Sequence, residues 1–316
     1  MTSGESGGEG RSIGLGLQVL LRRVRPHQWK YDYIRLRVMA TLSIRNMLSK
    51  APVVDSSSEV VICVATQPSR AKVAFLAVES MVFGSVKPKR LMLWVDDAGL
   101  SKNLPASLRR LVKRGLEVRV SESFGPHTKY YPYVASEDRD NCALVLADDD
   151  TLYPREWLRV LVDEWRNRPF EVHCHRAQVM RMEGPGRIAP YAAWPNTSSR
   201  RPSLAHFATA SSGVIYPPHF LKTVRDEGAV FMECCPRADD VWLHRLSLRA
   251  GIGVSQVQDV AANFPVIPGT DRGGLAARNV EGGENDVQIS LTYDATDRGR
   301  LWDALRQLEE VREGAI

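Results

Sequence analysis

The residues best suited to chemistry fall in two acidic clusters. The first is Asp148, Asp149 and Asp150, three adjacent carboxylates that end the apolar run LVLADDDTLYP (144–154). Carboxylates this close repel one another, and a fold that concentrates them at a strand end suggests a cation that neutralises them. Adjacent aspartates offer oxygen ligands to a hard divalent ion such as Mg2+ or Mn2+, which can also hold phosphate oxygens. Two ligands from one turn leave coordination positions open, so a substrate completes the shell, and the metal offsets charge building on a diphosphate leaving group. The alternative is a solvated turn with Asp150 capping the following helix. The second cluster, Asp239-Asp240, opens PRADDVWLHR. Helix N-termini stabilise such carboxylates, yet one of them could instead take a proton from an attacking hydroxyl as a general base.

The elements that must position these residues are legible as alternating strands and helices. VVICVA (60–65), LMLWV (91–95), LEVRV (116–120) and CALVLA (142–147) read as strands, with helices over 71–83 and 104–115 between them. Continuous apolar strands separated by helices predict a doubly wound, mostly parallel α/β sheet. Ligands of such sheets sit beyond the carboxyl ends of the strands. The residues there, 66–70 (TQPSR), 96–99 (DDAG), 121–129 (SESFGPHTK) and 148–150, should therefore converge on one edge. On that argument Arg70 suits a nucleotide or phosphate contact, and Asp96 and Asp97 suit ribose or base recognition. The second half is less regular. EVHCHRAQVMR (171–181) reads as one strand, 191–203 as a long loop, SSGVIYPPHF as a strand entering a Pro-Pro turn, 236–251 as a helix ending at Gly251, and 299–314 as a terminal helix. His173 and His175 share one strand face, but without a third ligand at zinc spacing they fit packing better than a metal site.

The 316 residues, 44 % apolar and 25 % charged, suit one large domain with elaborations, and no run approaches a membrane span. The first residues lack the pattern of a signal peptide, so a cytoplasmic protein is expected. Five cysteines without C-x-x-C spacing, three of them in apolar strand-like runs, fit buried free thiols; the vicinal Cys234-Cys235 pair could also be redox-active or bind metal. The net charge of +5 is concentrated in residues 17–50, where eight basic side chains face one acid, Asp32. Apolar residues at helical spacing separate them, so the segment is either a packed amphipathic helix or one lying on an anionic membrane surface. Nucleic acid is not an expected partner. The expected organisation is a disordered tail (1–15), a basic helical extension and linker (16–58), a catalytic domain (59–266), and a mobile loop with a C-terminal helix (267–316).

Together these ordered features resemble the GT-A fold glycosyltransferases, nucleotide-sugar-dependent enzymes, most closely bacterial members of the family 2 type. The resemblance spans about 60–257 and implies a Rossmann-like, mixed, mostly parallel sheet flanked by helices. VICVATQPSR is similar to the first strand and the loop that receives the nucleotide, with Thr66 and Arg70 as its contacts. LVLADDDTLYP looks like the strand and DxD turn, with Asp148 and Asp150 as metal ligands and Asp148 and Asp149 also near the donor. SSGVIYPPHF, with Gly213, resembles the strand beside sugar and acceptor, and the PRADDVWLHR helix the acidic helix of inverting enzymes, with Asp240 as base and Asp239 before it. The resemblance also puts GPHTKYYPY near the donor, Lys129 on the diphosphate and His127 on the sugar. Tyr191 and Trp194 could stack on sugar or simply pin their loop. The reaction so implied is attack by a glycan or lipid-linked acceptor hydroxyl on a UDP- or GDP-sugar, with Mn2+ or Mg2+ as cofactor, in the cytoplasm or at the inner face of the cell membrane. The family's late metal-ligating histidine has no counterpart beyond His244, and the final acidic motif is similar to that of retaining exostosin-type enzymes as well. A sugar nucleotidyltransferase is a rival that the glycine-free TQPSR disfavours; a carbohydrate- or Ca2+-binding module is the rival outside enzymes. The segment 267–286 is expected to close over bound donor.

Overall fold

The computed structural model describes residues 26–136, 141–270, 278–279 and 282–313. The chain divides into two compact units, Met1–Arg45 and Asn46–Ile316. What is described of the first unit is helical, within the helix Pro26–Leu48. Tyr33, Leu36, Ala40 and Ile44 recur at helical spacing and are exposed, and Arg35 pairs with Asp32 at 2.8 Å. The expected tail and the basic residues 17–25 lie outside the described residues. No helix among the described residues is long and apolar enough to cross a membrane.

The second unit is built on a seven-stranded sheet. Its strands are β1 (Val60–Thr66), β2 (Arg90–Val95), β3 (Leu116–Val120), β4 (Ala143–Leu146), β5 (Val172–Cys174), β8 (Val214–Tyr216) and β9 (Val254–Gln256), in the order β3-β2-β1-β4-β8-β5-β9. All neighbours are parallel except β8, which runs antiparallel to β4 and β5. Helices cover both faces, which is why β1 and β4 are apolar along nearly their whole length and almost fully buried. This is the mixed, mostly parallel, helix-flanked GT-A-like sheet the sequence leads one to expect. Because β8 is reversed, the residues before it, Ser212 and Gly213, lie at the same edge as the residues after β1, β2, β3 and β4.

Three sequence expectations need correction. Residues 171–181 are two short strands: β5 in the main sheet, and β6 (Ala177–Val179), which pairs with β7 (His206–Ala208) in a separate ribbon. Both mix apolar and polar residues (VHC and AQV), so composition does not mark the corner between them. β9 was not anticipated, since it is only three residues long and completes the sheet beside β5 through tertiary pairing. Residues 284–286 of the stretch expected to be loop open a helix, Glu284–Thr292, while 271–277 and 280–281 lie outside the described residues.

Candidate active site

The register of β1 against β4 builds the first cluster. Cys63 is opposite Leu146, so three residues further along both chains Thr66 arrives beside Asp149. The Thr66 hydroxyl donates to Asp149 Oδ2 at 2.6 Å and Arg70 Nη1 donates to Oδ1 at 2.9 Å. The same guanidinium reaches Asp150 Oδ2 at 2.9 Å. Asp149 is therefore the sealed, 4 % exposed anchor of the turn. Its pKa is raised by burial, against the hydrogen bond from Thr66 and the charge of Arg70. Asp148 and Asp150 retain more side-chain exposure, 26 % and 17 %. Burial, with Asp148 close by, pushes Asp150 up to about 6.

Lys129 joins the two acidic clusters. It leaves the short helical turn Gly125–Lys129 after β3 and places its ammonium 2.5 Å from Asp148 Oδ1 and 3.4 Å from Asp239 Oδ2. Burial opposes that charge, but Asp148, Asp239 and Asp240 outweigh it and hold the Lys129 pKa well above its ordinary value. Asp239 Oδ2 is buried and its approach to Lys129 is an ion pair without hydrogen-bond geometry. Asp240 Oδ1 accepts from the Ala210 N–H at 3.1 Å. Burial, and then the neighbouring Asp239 charge, raise the Asp240 pKa well above that of a free carboxylate.

Capping does not account for Asp150, whereas Asp239 and Asp240 do lie in the first turn of their helix, where its N-terminus stabilises carboxylates. The acidic helix Asp239–Ala250 begins after Ala238 with no side-chain cap, and the helix after the triple-aspartate turn, Trp157–Asn167, begins after Glu156. The turn is held from behind by groups whose role the sequence does not signal. The Asp148 N–H donates to the Tyr153 hydroxyl at 2.8 Å, and that hydroxyl donates to Ser211 O at 3.1 Å. Trp157 Nε1 donates to Ser212 O at 2.9 Å, and its indole lies so close to Gly213 that a Cβ there would sit 2.4 Å from Nε1. Gly213 has φ +97, so both the backbone and the indole require glycine. Residues 265–267 lie along the turn, with Ile267 N–H donating to Asp150 O and Leu152 N–H to Pro265 O.

Other sequence candidates are placed differently. Asp97 caps the short helix Ala98–Lys102 through Leu100 N–H, and exposed Asp96 accepts from the Ser123 hydroxyl at 2.8 Å. His127 is fully buried, stacked on Phe231 at 4.0 Å, with Nε2–H donating to Cys235 O and Nδ1 accepting from the Tyr130 hydroxyl. It packs in the core, fully buried. Trp194 is likewise buried, its Nε1 bonded to Ala189 O, and it pins the loop; Tyr191 beside it is partly exposed and feels the charge of Asp240. His173, His175 and His244 are buried and hydrogen-bonded to the Arg168, Trp157 and Leu204 carbonyls respectively. A cavity of about 420 Å³ bounded by Trp165, Phe170, Pro218 and His219 contains none of the acidic residues.

At the acidic edge five carboxylates, Asp148, Asp149, Asp150, Asp239 and Asp240, face the two cations Arg70 and Lys129. That surplus of hard oxygen donors at the open end of the sheet suits a divalent cation. No group of three His, Cys, Asp or Glu among the described residues converges as a complete metal set.

No protein-family model matches the sequence, and no curated protein matches it. Solved structures match it at low identity. A mannosyltransferase from Pyrobaculum calidifontis, in complex with GDP-Man and Mn2+, is 13% identical with a TM-score of 0.48, covering 84% of this chain and 76% of that one. Residues 1–349 of S. aureus TarS are 17% identical with a TM-score of 0.42, covering 65% of this chain; this chain spans only 59% of that structure. A CMP:2-keto-3-deoxy-manno-octonic acid synthetase complexed with CTP is 12% identical with a TM-score of 0.41, covering 71% of this chain and all of that one. At these scores the likenesses say nothing about chemistry.

Proposed function

We propose that the protein is a metal-dependent glycosyltransferase that moves a sugar from a UDP- or GDP-linked donor to a hydroxyl of a glycan or lipid-linked acceptor, with inversion. The observation that carries this reading is the Lys129 bridge: one ammonium pairs with Asp148 on the triple-aspartate turn and with Asp239 on the acidic helix. Two clusters far apart in sequence thereby face a single site. Asp148 and Asp150 would hold Mn2+ or Mg2+, which supplies Lewis-acid neutralisation of the departing diphosphate. Arg70 and Lys129 add fixed positive charge beside the same turn. Asp240, its pKa raised by burial and by Asp239, accepts the acceptor hydroxyl's proton more readily than a free carboxylate does. Thr66 and Asp149 keep the turn in register.

The test is transfer or hydrolysis of a panel of nucleotide sugars with and without Mn2+, with the anomeric configuration of the product followed by NMR. Metal-dependent donor cleavage with inversion is expected. No cleavage of any donor would leave a carbohydrate-binding module as the better reading, and retention would remove Asp240 as base. The exposed stripe Tyr33, Leu36, Ala40 and Ile44, interspersed with Arg35, Arg37 and Arg45, suits contact with an anionic membrane that presents a lipid-linked acceptor. Flotation with vesicles containing phosphatidylserine, lost in vesicles of phosphatidylcholine alone, is the expected behaviour.

A further inference from the structure

We infer that Cys234 and Cys235 form an oxidisable vicinal dithiol whose closure to a disulfide displaces the start of the acidic helix. The two sulfurs already lie 3.8 Å apart in a thiol–thiol hydrogen bond. Cys234 is the last residue of the short helix Phe231–Cys234 and is partly exposed, whereas Cys235 is fully buried. The pair is asymmetric in reactivity as well as in access. The Cys235 thiol's hydrogen bond lowers the Cys234 pKa against the effect of burial, with Thr292 and Arg245 assisting, while the same hydrogen bond and burial raise that of Cys235. A partly exposed thiolate beside a protected partner is the arrangement of an attacking and a resolving cysteine.

The oxidant is a peroxide. The Cys234 thiolate attacks one peroxide oxygen, the O–O bond breaks, and hydroxide leaves and takes up a proton, giving a sulfenic acid and water. Cys235 sulfur then attacks the sulfenic sulfur, the S–OH bond breaks, and a second water departs with the Cys235 proton. Two thiols and one hydrogen peroxide yield one disulfide and two waters.

The Cys235 carbonyl gives this ring its reach. It accepts from His127 Nε2–H at 2.8 Å and from Ala238 N–H at 3.2 Å. His127 lies two residues before Lys129, and Ala238 immediately precedes Asp239 and Asp240. Closing the sulfurs from 3.8 Å to a bond of about 2.05 Å twists the Cys234–Cys235 peptide and turns the Cys235 Cα, so the Cys235 carbonyl just outside the ring shifts and both of its attachments loosen.

Full-length protein is treated with stoichiometric hydrogen peroxide, blocked with N-ethylmaleimide and analysed by mass spectrometry and amide hydrogen exchange. Neither readout depends on the glycosyltransferase reading, so the two ideas fail separately. The peptide containing both residues is expected to lose two hydrogens and to take no maleimide until dithiothreitol is added. Exchange across 236–243 is expected to rise at least about threefold on oxidation and to return on reduction. In Cys235→Ser, Cys234 is expected to proceed to sulfinic acid instead. Oxidation that stops at Cys234 in the wild-type protein, or a ring that leaves exchange at 236–243 unchanged, overturns the proposal.

Discussion

Two clusters of buried charge in the second unit have different balances. In one, fully buried Asp297 meets two guanidiniums, Arg245 Nε at 3.1 Å and Arg249 Nε at 2.7 Å with Nη2 at 3.0 Å, and Arg249 also pairs with Asp294 at 2.6 Å, so two carboxylates match two cations. The remaining acceptor capacity of Asp297 goes to the Asp294 N–H at 3.2 Å, at the start of the C-terminal helix Ala295–Glu313. In the other, at the carboxyl edge of the sheet, five aspartates share Arg70 and Lys129. The first cluster is saturated and ties the C-terminal helix to the acidic helix. The second carries more negative charge than its own cations neutralise, so it has capacity for an external cation and for a ligand that brings one. A buried charge that is fully paired serves the fold, whereas a surplus held at an open edge is a cost that function explains better than stability.

Breaking each cluster should therefore give opposite phenotypes. The largest effect is expected from Asp150→Asn, which on the proposed reading abolishes metal-supported donor turnover; the thermal midpoint should hold or rise, because one like charge leaves the surplus. A midpoint that collapses with Asp150→Asn would place that carboxylate among the structural charges. Next comes Asp297→Asn, expected to cost about 3 kcal/mol, the low end for a broken buried pair, because Arg245 loses its carboxylate while the partly exposed Arg249 keeps Asp294. Urea denaturation measures it, and donor binding by the remaining folded protein should be unchanged. Asp240→Asn should preserve donor binding in calorimetry yet lower kcat at least about 100-fold, the low end for a lost general base. Full activity of that variant would remove the inverting assignment.

A smaller and graded effect is expected from pH. Burial holds His127, His173, His175 and His244 down to about 4 each. The unfolded chain binds their protons near pH 6.5 and the folded chain refuses them, so the stability they permit is intact above about 6.5 and falls as pH drops toward 4. The loss approaches about 1.4 kcal/mol per pH unit for each histidine. A denaturation midpoint that stays flat between pH 7 and 5 would mean that these rings are wetter than their burial implies.

The legible parts of the molecule are those where composition and spacing act locally. β1 to β4 are apolar because both faces are covered, and that pattern alone located the sheet edge where Thr66, Asp96 and Asp148 emerge. The short strands were not legible in this way. Three residues of β5 or β9 carry no period, and the corner at His175-Arg176 has no glycine or proline to mark it. The importance of Tyr153 and Trp157 could have been suspected only from aromatics following an acidic turn, a weak signal. The burial of His127 could not have been suspected, and for Trp194 stacking on sugar and pinning the loop stayed open, since nothing in a single sequence distinguishes an aromatic that lines a cleft from one that packs beneath it.

By itself the sequence determined that the chain alternates buried strands with helices, that carboxylates cluster at the end of one strand and the start of one helix, and that basic charge is concentrated before the fold begins. These follow from hydrophobic period and charge, which each segment carries alone. The tertiary structure decided how the three aspartates divide their work. Strand register brings Thr66 and Arg70 onto Asp149 and seals it, while Asp148 turns to Lys129 and Asp150 shares Arg70. It also decided that Lys129 spans from the triple-aspartate turn to the acidic helix. Such pairings depend on distances between segments remote in the chain, and those distances exist only after the sheet has closed its register.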